Sequence, residues 1–417
     1  MMEPEGGPVE PQGGSVEPPS GARAWQGGWA PSSCAPAAGA PGVESRPAGR
    51  LPASRAAVVV AGSLNMDLVV VCRRAPEQGE TVSGERFFTA CGGKGANQAV
   101  AAARLGAPVA MLGCVGDDAF GEQLVAALRA EGIDIAGVRR VPGPSGVAAI
   151  TVEAGGANRI VVVPGANARF TELDAVARRC IASARVLLLQ LESPLPLVEQ
   201  AARVARAAGV TVILTPAPVP PDPLPPGLLE AVDWLVPNEH ELWALVGGKG
   251  GPPGADSPAE PPVPGPVGGS SVPGAGRPAP GPAAGPAMGA AGPAAGPGGT
   301  GALEAAARRL GGGRIHVVVT LGERGCLYVP PAGAARAIPA LPVAAVDTTA
   351  AGDTFAGALA VALAEGRPVE EALRFATRAA GISVTRPGAQ PSMPSRAEVE
   401  AWPGPGSREP APPVPPR

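Results

Sequence analysis

From residue 56 onward the chain alternates short apolar runs of Val, Leu and Ile with longer Ala- and Leu-rich stretches at helical spacing. Nothing else in the sequence constrains the fold as strongly. Near-continuous apolar strands set between helices indicate an α/β fold, with a parallel sheet covered by helices on both faces. The spacing predicts strands at 56–61, 109–115, 186–191, 210–214, 234–236 and 315–321. It predicts helices at 96–105, 120–130, 172–181, 197–207 and 303–310, and a short helix from Glu239. The runs 147–153 and 160–163 flank Gly155, Gly156 and Asn158, the layout of a hairpin.

Two segments interrupt this pattern. Residues 1–55 and 248–300 consist largely of Gly, Pro, Ala and Ser. Such composition buries too little apolar surface to offset the ordering of the chain. Neither segment has a strict Gly-X-Y period, which argues against collagen. The first reads as a disordered tail and the second as a disordered insertion. About 300 residues remain, enough for one large domain. It is expected over 56–395, with 396–417 as a C-terminal tail.

The formal net charge is −3, with no run of Lys or Arg, so nucleic acid and anionic membranes lack an electrostatic footprint. The six cysteines are scattered without a CxxC, which argues against a zinc site or disulfide framework and for reduced thiols. The N-terminus lacks the basic and apolar regions of a secretory signal. The acid-poor stretch 21–55 faintly suggests a transit peptide, but the acidic start opposes it. No apolar run is long enough to span a bilayer. The expected compartment is the cytoplasm, with the nucleus as a second.

Ligands of parallel α/β sheets bind beyond the carboxyl ends of the strands. The polar residues expected there are Asn65 and Asp67, Gln190 and Glu192, Asn238 and Glu239, Thr320 and Gly322, and the segment from Asp347 to Asp353. Each could be an ordinary strand-end cap; together they suit sugar hydroxyls and phosphates.

Two segments carry more chemistry. Thr348 to Phe355 places small residues and a glycine before Asp353 and an apolar helical run. That is a helix N-terminus able to hold an anion, with a carboxylate able to take a proton from an attacking hydroxyl. Taken alone, Asp353 also reads as a simple N-cap. The run Gly92-Gly93-Lys94-Gly95-Ala96-Asn97 opens an Ala-rich helix. It is neither a Walker A loop nor a G-x-G-x-x-G turn, and a mere glycine-rich turn stays open.

These motifs, with Gln190-Leu191-Glu192-Ser193, Pro237-Asn238-Glu239 and Thr320-Leu321-Gly322, resemble the ribokinase branch of the PfkB carbohydrate kinases, over about 58–393 and interrupted by the insertion. The resemblance implies a three-layer α/β/α fold with a mostly parallel central sheet and a small β-sheet lid. The lid strands are expected within 68–90 and 147–163, more closely at 68–72, 81–88 and 147–163. It implies a homodimer joined through the lids.

By the same resemblance, Asn65, Met66, Asp67, Gly93, Lys94, Asn97, Glu192 and Asp353 hold D-ribose. Asp353 is the general base, and the N–H groups of Ala351, Gly352 and Asp353, with Ala350 before them, form an anion hole. Asn238, Thr320, Gly322, Arg324, Gly325, Gly352, Asp353 and Thr377 line the ATP site. Glu239 acts on Mg²⁺ through water. Asp347, Thr349, Ser383, Arg386 (through its carbonyl), Gly388 and Ser392 surround a monovalent cation, K⁺. Ala350 stands where many relatives have Gly, Thr215 where the usual residue is Asn, and Thr377 where relatives carry His or Asn. Other readings are a PfkB kinase for deoxyribose, a ketose or a nucleoside, and a catalytically silent sugar-binding protein.

Overall fold

The computed structural model describes residues 57–155, 157–247 and 300–402. The expected tail 1–55, nearly all of the 248–300 insertion and residues 403–417 lie outside the described residues. The strands are β1 (Val58–Ala61), β2 (Asn65–Cys72), β3 (Arg86–Gly92), β4 (Val109–Gly116), β5 (Asp134–Val141), β6 (Gly146–Glu153), β7 (Asn158–Val163), β8 (Val186–Leu189), β9 (Thr211–Leu214), β10 (Trp234–Leu235), β11 (His316–Thr320), β12 (Cys326–Val329) and β13 (Arg336–Ile338). The helices are α1 (Lys94–Arg104), α2 (Ala119–Ala130), α3 (Ala175–Ser183), α4 (Leu195–Ala207), α5 (Pro226–Ala231), α6 (Glu239–Leu245), α7 (Thr300–Gly311), α8 (Ala351–Ala364), α9 (Val369–Ser383) and α10 (Arg396–Ala401).

All four side chains of β1 are buried. A strand sends successive side chains to opposite faces, so a strand without a polar position must be covered twice. Val58 and Val60 pack into a core built from α1, α2, α8 and α9. Val59 and Ala61 pack into a second core built from α3, α4, α5, α6 and α7. This gives three layers. The large sheet runs β13-β12-β11-β10-β9-β8-β1-β4-β5. It is parallel from β5 to β11, and β12 and β13 close one edge antiparallel.

A second sheet has the order β3-β2-β6-β7. It joins the first through the short connections 62–64, between β1 and β2, and 142–145, between β5 and β6. Asn167 fastens the first connection. Its Oδ1 accepts from Leu64 N (2.9 Å), while its Nδ2 donates to Leu64 O (3.1 Å) and Asn65 Oδ1 (2.7 Å).

Several expectations shift. The strand expected at 81–88 is β3, which pairs Asn65 with Gly92 and Val71 with Arg86. Pairing to β2 thus draws the strand toward the glycine run. Strands β5, β12 and β13 were not anticipated, since β5 is a partly exposed edge strand without a continuous apolar run. The boundary expected at 395 falls just before α10, whose Val399 is fully buried in the core. Cys72, Cys114, Cys180 and Cys326 are free thiols. No helix among the described residues is long and apolar enough to cross a membrane.

Candidate active site

Gly93 has φ 88°, and a Cβ there would lie 2.7 Å from Asn65 N. Only glycine accepts both the left-handed turn and the close approach. The turn starts α1 earlier than expected, at Lys94, and aims its first N–H groups at Glu192 and at Ser63 in the β1–β2 connection. Lys94 N donates to Glu192 Oε2 (3.1 Å), Gly95 N to Ser63 Oγ (3.3 Å) and Ser63 Oγ to Glu192 Oε2 (2.5 Å). Asn65 Nδ2 reaches the same carboxylate oxygen at 3.5 Å. Glu192 therefore binds the loop after β8 to the N-terminus of α1.

Asn65 and Asp67 lie on one side of β2. Met66 points the other way and is fully buried in the core, so its side chain does not reach the site. Asp67 packs over Gly92, where a Cβ would stand 2.3 Å from its Oδ2. Burial pushes the Asp67 carboxyl up to about 7, with Glu192 and Asp353 adding to the shift and Lys94 opposing it.

Asp353 lies in the first turn of α8, but Ala350 occupies the N-cap, which removes the simple-cap reading. Asn97 Nδ2 donates to Asp353 Oδ2 (3.1 Å) and Gln98 Nε2 to Asp353 Oδ1 (3.1 Å). Burial raises the carboxyl above its ordinary value, against the pull of Lys94 and both amides. Asn97 is a bridge, because its Oδ1 accepts from Gln390 Nε2 (3.2 Å). Gln98 escaped the sequence reading, since an amide inside an Ala-rich run carries no signal of its own.

The first turn of a helix leaves its N–H groups without intrahelical acceptors. Ala351 N donates to Thr348 O (3.2 Å), so the N–H groups of Gly352 and Asp353 are those left for an anion. A Cβ on Gly352 would meet nothing within 4 Å, so the approach is open. Ala350 has φ 58° and ψ 17°, left-handed for a residue with a side chain, at a cost of roughly 1 kcal/mol or more. Ala350→Gly is expected to raise the unfolding free energy by up to about 1 kcal/mol, the relief being partly offset by a freer unfolded chain. Urea denaturation measures it; a loss of stability would show that the Ala350 methyl contributes more by packing than it costs in strain.

Lys94 joins these groups electrostatically. Burial lowers its affinity for a proton, but Asp353, Glu192, Glu241 and Asp67 outweigh burial and hold it above its usual value. Glu241 was passed over in favour of Glu239. The structure places Glu239 in an ion pair with Arg324, while Glu241 interacts with both Lys94 and Asp353. Glu241 also completes the cap of α6. Its Oε2 accepts from Asn238 N (2.8 Å), its Oε1 from Asn238 Nδ2 (2.9 Å), and its own N–H donates to Asn238 Oδ1 (2.8 Å). Burial raises the Glu241 carboxyl, opposed by the Asn238 N–H and Lys94.

Asn238 bridges to Thr320 at the end of β11. The turn after β11 brings Gly322 (φ 58°) and Gly325 (φ 87°) around Arg324. Thr377, buried in α9, holds its Oγ1 3.8 Å from the Cys326 thiol just after that turn. Thr215 keeps a polar contact by accepting from Gln98 Nε2 (3.0 Å) and donating to Leu189 O (3.2 Å).

Asp347 gathers a further set. Its Oδ1 accepts from Thr349 N (2.9 Å) and Thr349 Oγ1 (2.6 Å), and its Oδ2 from Gly388 N (2.8 Å). Ser383 and Ser392 are buried and donate their hydroxyls to Ala380 O and Ala389 O (2.8 Å each). The Arg386 guanidinium pairs with Glu398, leaving its backbone carbonyl as the group of interest.

The sequence pattern described as pfkB family carbohydrate kinase matches residues 55–260 and 296–396. A ribokinase of Schizosaccharomyces pombe is 38% identical over 353 residues, covering 82% of this chain and 96% of that protein. A ribokinase of Haemophilus influenzae is 38% identical over 349 residues, covering 83% and 97%. The structure of an Arabidopsis thaliana ribokinase complexed with ribose and ATP matches with a TM-score of 0.67 at 32% identity, covering 83% of this chain and 97% of the other. The chain therefore belongs to the pfkB family and is a carbohydrate kinase, similar over most of its length to ribokinases.

Proposed function

We propose that this kinase transfers the γ-phosphoryl group of ATP to the O5 hydroxyl of D-ribose. The observation that carries this reading is Asp353, held through both oxygens by amides, beside free N–H groups at the N-terminus of α8. Asn65, Asp67, Lys94, Asn97 and Glu192 would hold the sugar hydroxyls, with Gly93 letting the backbone approach. Asp353 accepts the O5 proton as the O5–Pγ bond forms and the bond from Pγ to the leaving ADP oxygen breaks. The N–H groups of Gly352 and Asp353 stabilise charge on the transferring group. Asn238, Thr320, Gly322, Arg324, Gly325 and Thr377 would line the nucleotide site.

Mg²⁺ favours carboxylate and water ligands. Glu239 would act on it through water while its carboxylate pairs with Arg324, and Glu241, bonded to Asn238 through both oxygens, is a second acid of the same turn. When bound, the metal would neutralise phosphate charge. A K⁺ ion suits oxygen donors, and Ser383 and Ser392 spend only their hydroxyl protons on carbonyls, leaving lone pairs. Asp347, Thr349, Gly388 and the Arg386 carbonyl would complete that set. Assembly through the small sheet is supported by its exposed apolar side chains, among them Val161 (65%) and Phe87 (66%).

The test is ADP release by purified protein with MgATP and KCl on D-ribose, 2-deoxyribose, fructose and adenosine. Ribose-dependent turnover is expected to exceed that on 2-deoxyribose by about tenfold or more, because a site built around a hydroxyl rejects an analogue lacking it, and to exceed that on fructose and adenosine, whose carbon skeletons differ from ribose. Preference for another acceptor would keep the chemistry and move the substrate. Ribose binding without turnover would favour a silent sugar-binding protein.

A further inference from the structure

Gln98, Gln190 and Thr215 form a polar chain inside the Ala-rich layer. Gln98 and Gln190 are wholly buried and Thr215 nearly so. Gln98 Nε2 donates to Asp353 Oδ1 (3.1 Å) and to Thr215 Oγ1 (3.0 Å), and Gln98 Oε1 accepts from Gln190 Nε2 (2.6 Å). Thr215 spends its proton on Leu189 O, so it faces Gln98 as an acceptor. Gln190 Oε1 has no protein partner and lies where a Cβ on Gly62 would stand, 1.8 Å away.

Every amide in the chain has one permitted orientation. An ionised Asp353 only accepts, so Gln98 must present its nitrogen. Its oxygen then faces Gln190, which must also present nitrogen, and this leaves Gln190 Oε1 unpaired against Gly62. A buried amide oxygen without a partner is costly. That cost is carried at one end of the chain while the end at Asp353 is fully bonded.

We propose that Gln98 is a positioning residue for the base, oriented by Gln190 and Thr215, which fixes the rotamer of Asp353 and favours its ionised form. Asn97 holds the other carboxylate oxygen but is also tied to Gln390, so the two amides brace Asp353 from different parts of the fold. The inference rests on the reading of Asp353 as general base.

The test compares Gln98→Leu, Gln190→Leu and Asp353→Asn in the full chain. Gln98→Leu is expected to lower kcat by about tenfold or more, the range for losing a hydrogen bond to a charged group. The ribose KM should stay within about twofold, because the change affects a transition-state role. Losing an N–H donor raises the carboxyl's affinity for a proton, so the acid limb of kcat should move up by about one pH unit. A residue that only fills space would not move that limb. Gln190→Leu leaves the contact with Asp353 in place but frees Gln98 to rotate; a smaller change in the same direction is expected, and it serves if Gln98→Leu fails to fold. Unchanged kcat and acid limb in the folded variants, with Asp353→Asn inactive, would overturn the positioning role alone. An active Asp353→Asn would overturn the base assignment and this inference with it.

Discussion

Asp353→Asn is expected to lower kcat by about 10³-fold or more, because general-base transfer and positioning each contribute about 10²-fold or more. An amide has the shape of the carboxylate but, on the proposed reading, cannot take the O5 proton. The variant should still fold, since Ala350 and not Asp353 caps α8. Burial holds the Asp353 carboxyl above its ordinary value, so the folded state favours the proton. The stability this group contributes is complete below its unfolded value, near 3.8, and is lost as pH rises through its folded value. Asn lacks that loss but turns one N–H group toward the amide nitrogen of Asn97 or Gln98, so the variant should start with a lower thermal midpoint in acid and gain on the parent as pH rises to the folded value. Measured together, kcat and midpoint separate chemistry from folding. A kcat within tenfold of the parent would remove Asp353 from the reaction, and a collapsed midpoint would make it a structural residue.

The second large effect is expected at Lys94. Its ammonium faces Asp353, Glu192, Glu241 and Asp67. Lys94→Met keeps the length and apolar stem while leaving those carboxylates to repel one another. Removing the ammonium takes a charge-assisted hydrogen bond from the sugar, about 1.5–3 kcal/mol, so on the proposed reading ribose affinity should fall by about tenfold or more. Asp67, Glu241 and Asp353 should each bind a proton more readily, Asp67 most visibly, since burial and its neighbours already hold it at about 7. Calorimetric titration with ribose between pH 6 and 8 reports both effects. The expected result is weaker binding that recovers partly as pH falls. Equal affinity in the two proteins would show that Lys94 serves the acid cluster alone.

Much of the fold was legible because β1, β4, β8, β9 and β11 are short apolar runs, and burial on both faces leaves just that trace. Strand β5 is an edge with exposed positions, and β12 and β13 reverse direction, so no strand–helix alternation announced them. The site was legible where polar residues interrupt an apolar pattern, as at Asn65, Asp67, Glu192 and Asp353. It was not legible where chemistry hides inside the pattern. Gln98 sits among alanines, Asn167 lies in a short turn far from β2 in sequence, and Glu241 could be told from Glu239 only by the direction in which α6 projects each one. Met66 came with the family resemblance, and strand alternation turns its side chain into the core.

The connection 62–64 has a mechanical consequence. Asn65 and Asp67 belong to the small sheet, while Glu192 follows a strand of the large one and Lys94 and Asp353 open helices packed on it. On the proposed reading a sugar is gripped by both sets at once and acts as a latch between two leaves. Asn167, which clamps Leu64 on both its N–H and its carbonyl, makes the pivot stiff just where the latch engages. Any opening of the small sheet would then draw Asn65 and Asp67 away from the sugar, so release of product and movement of the cover would be one event.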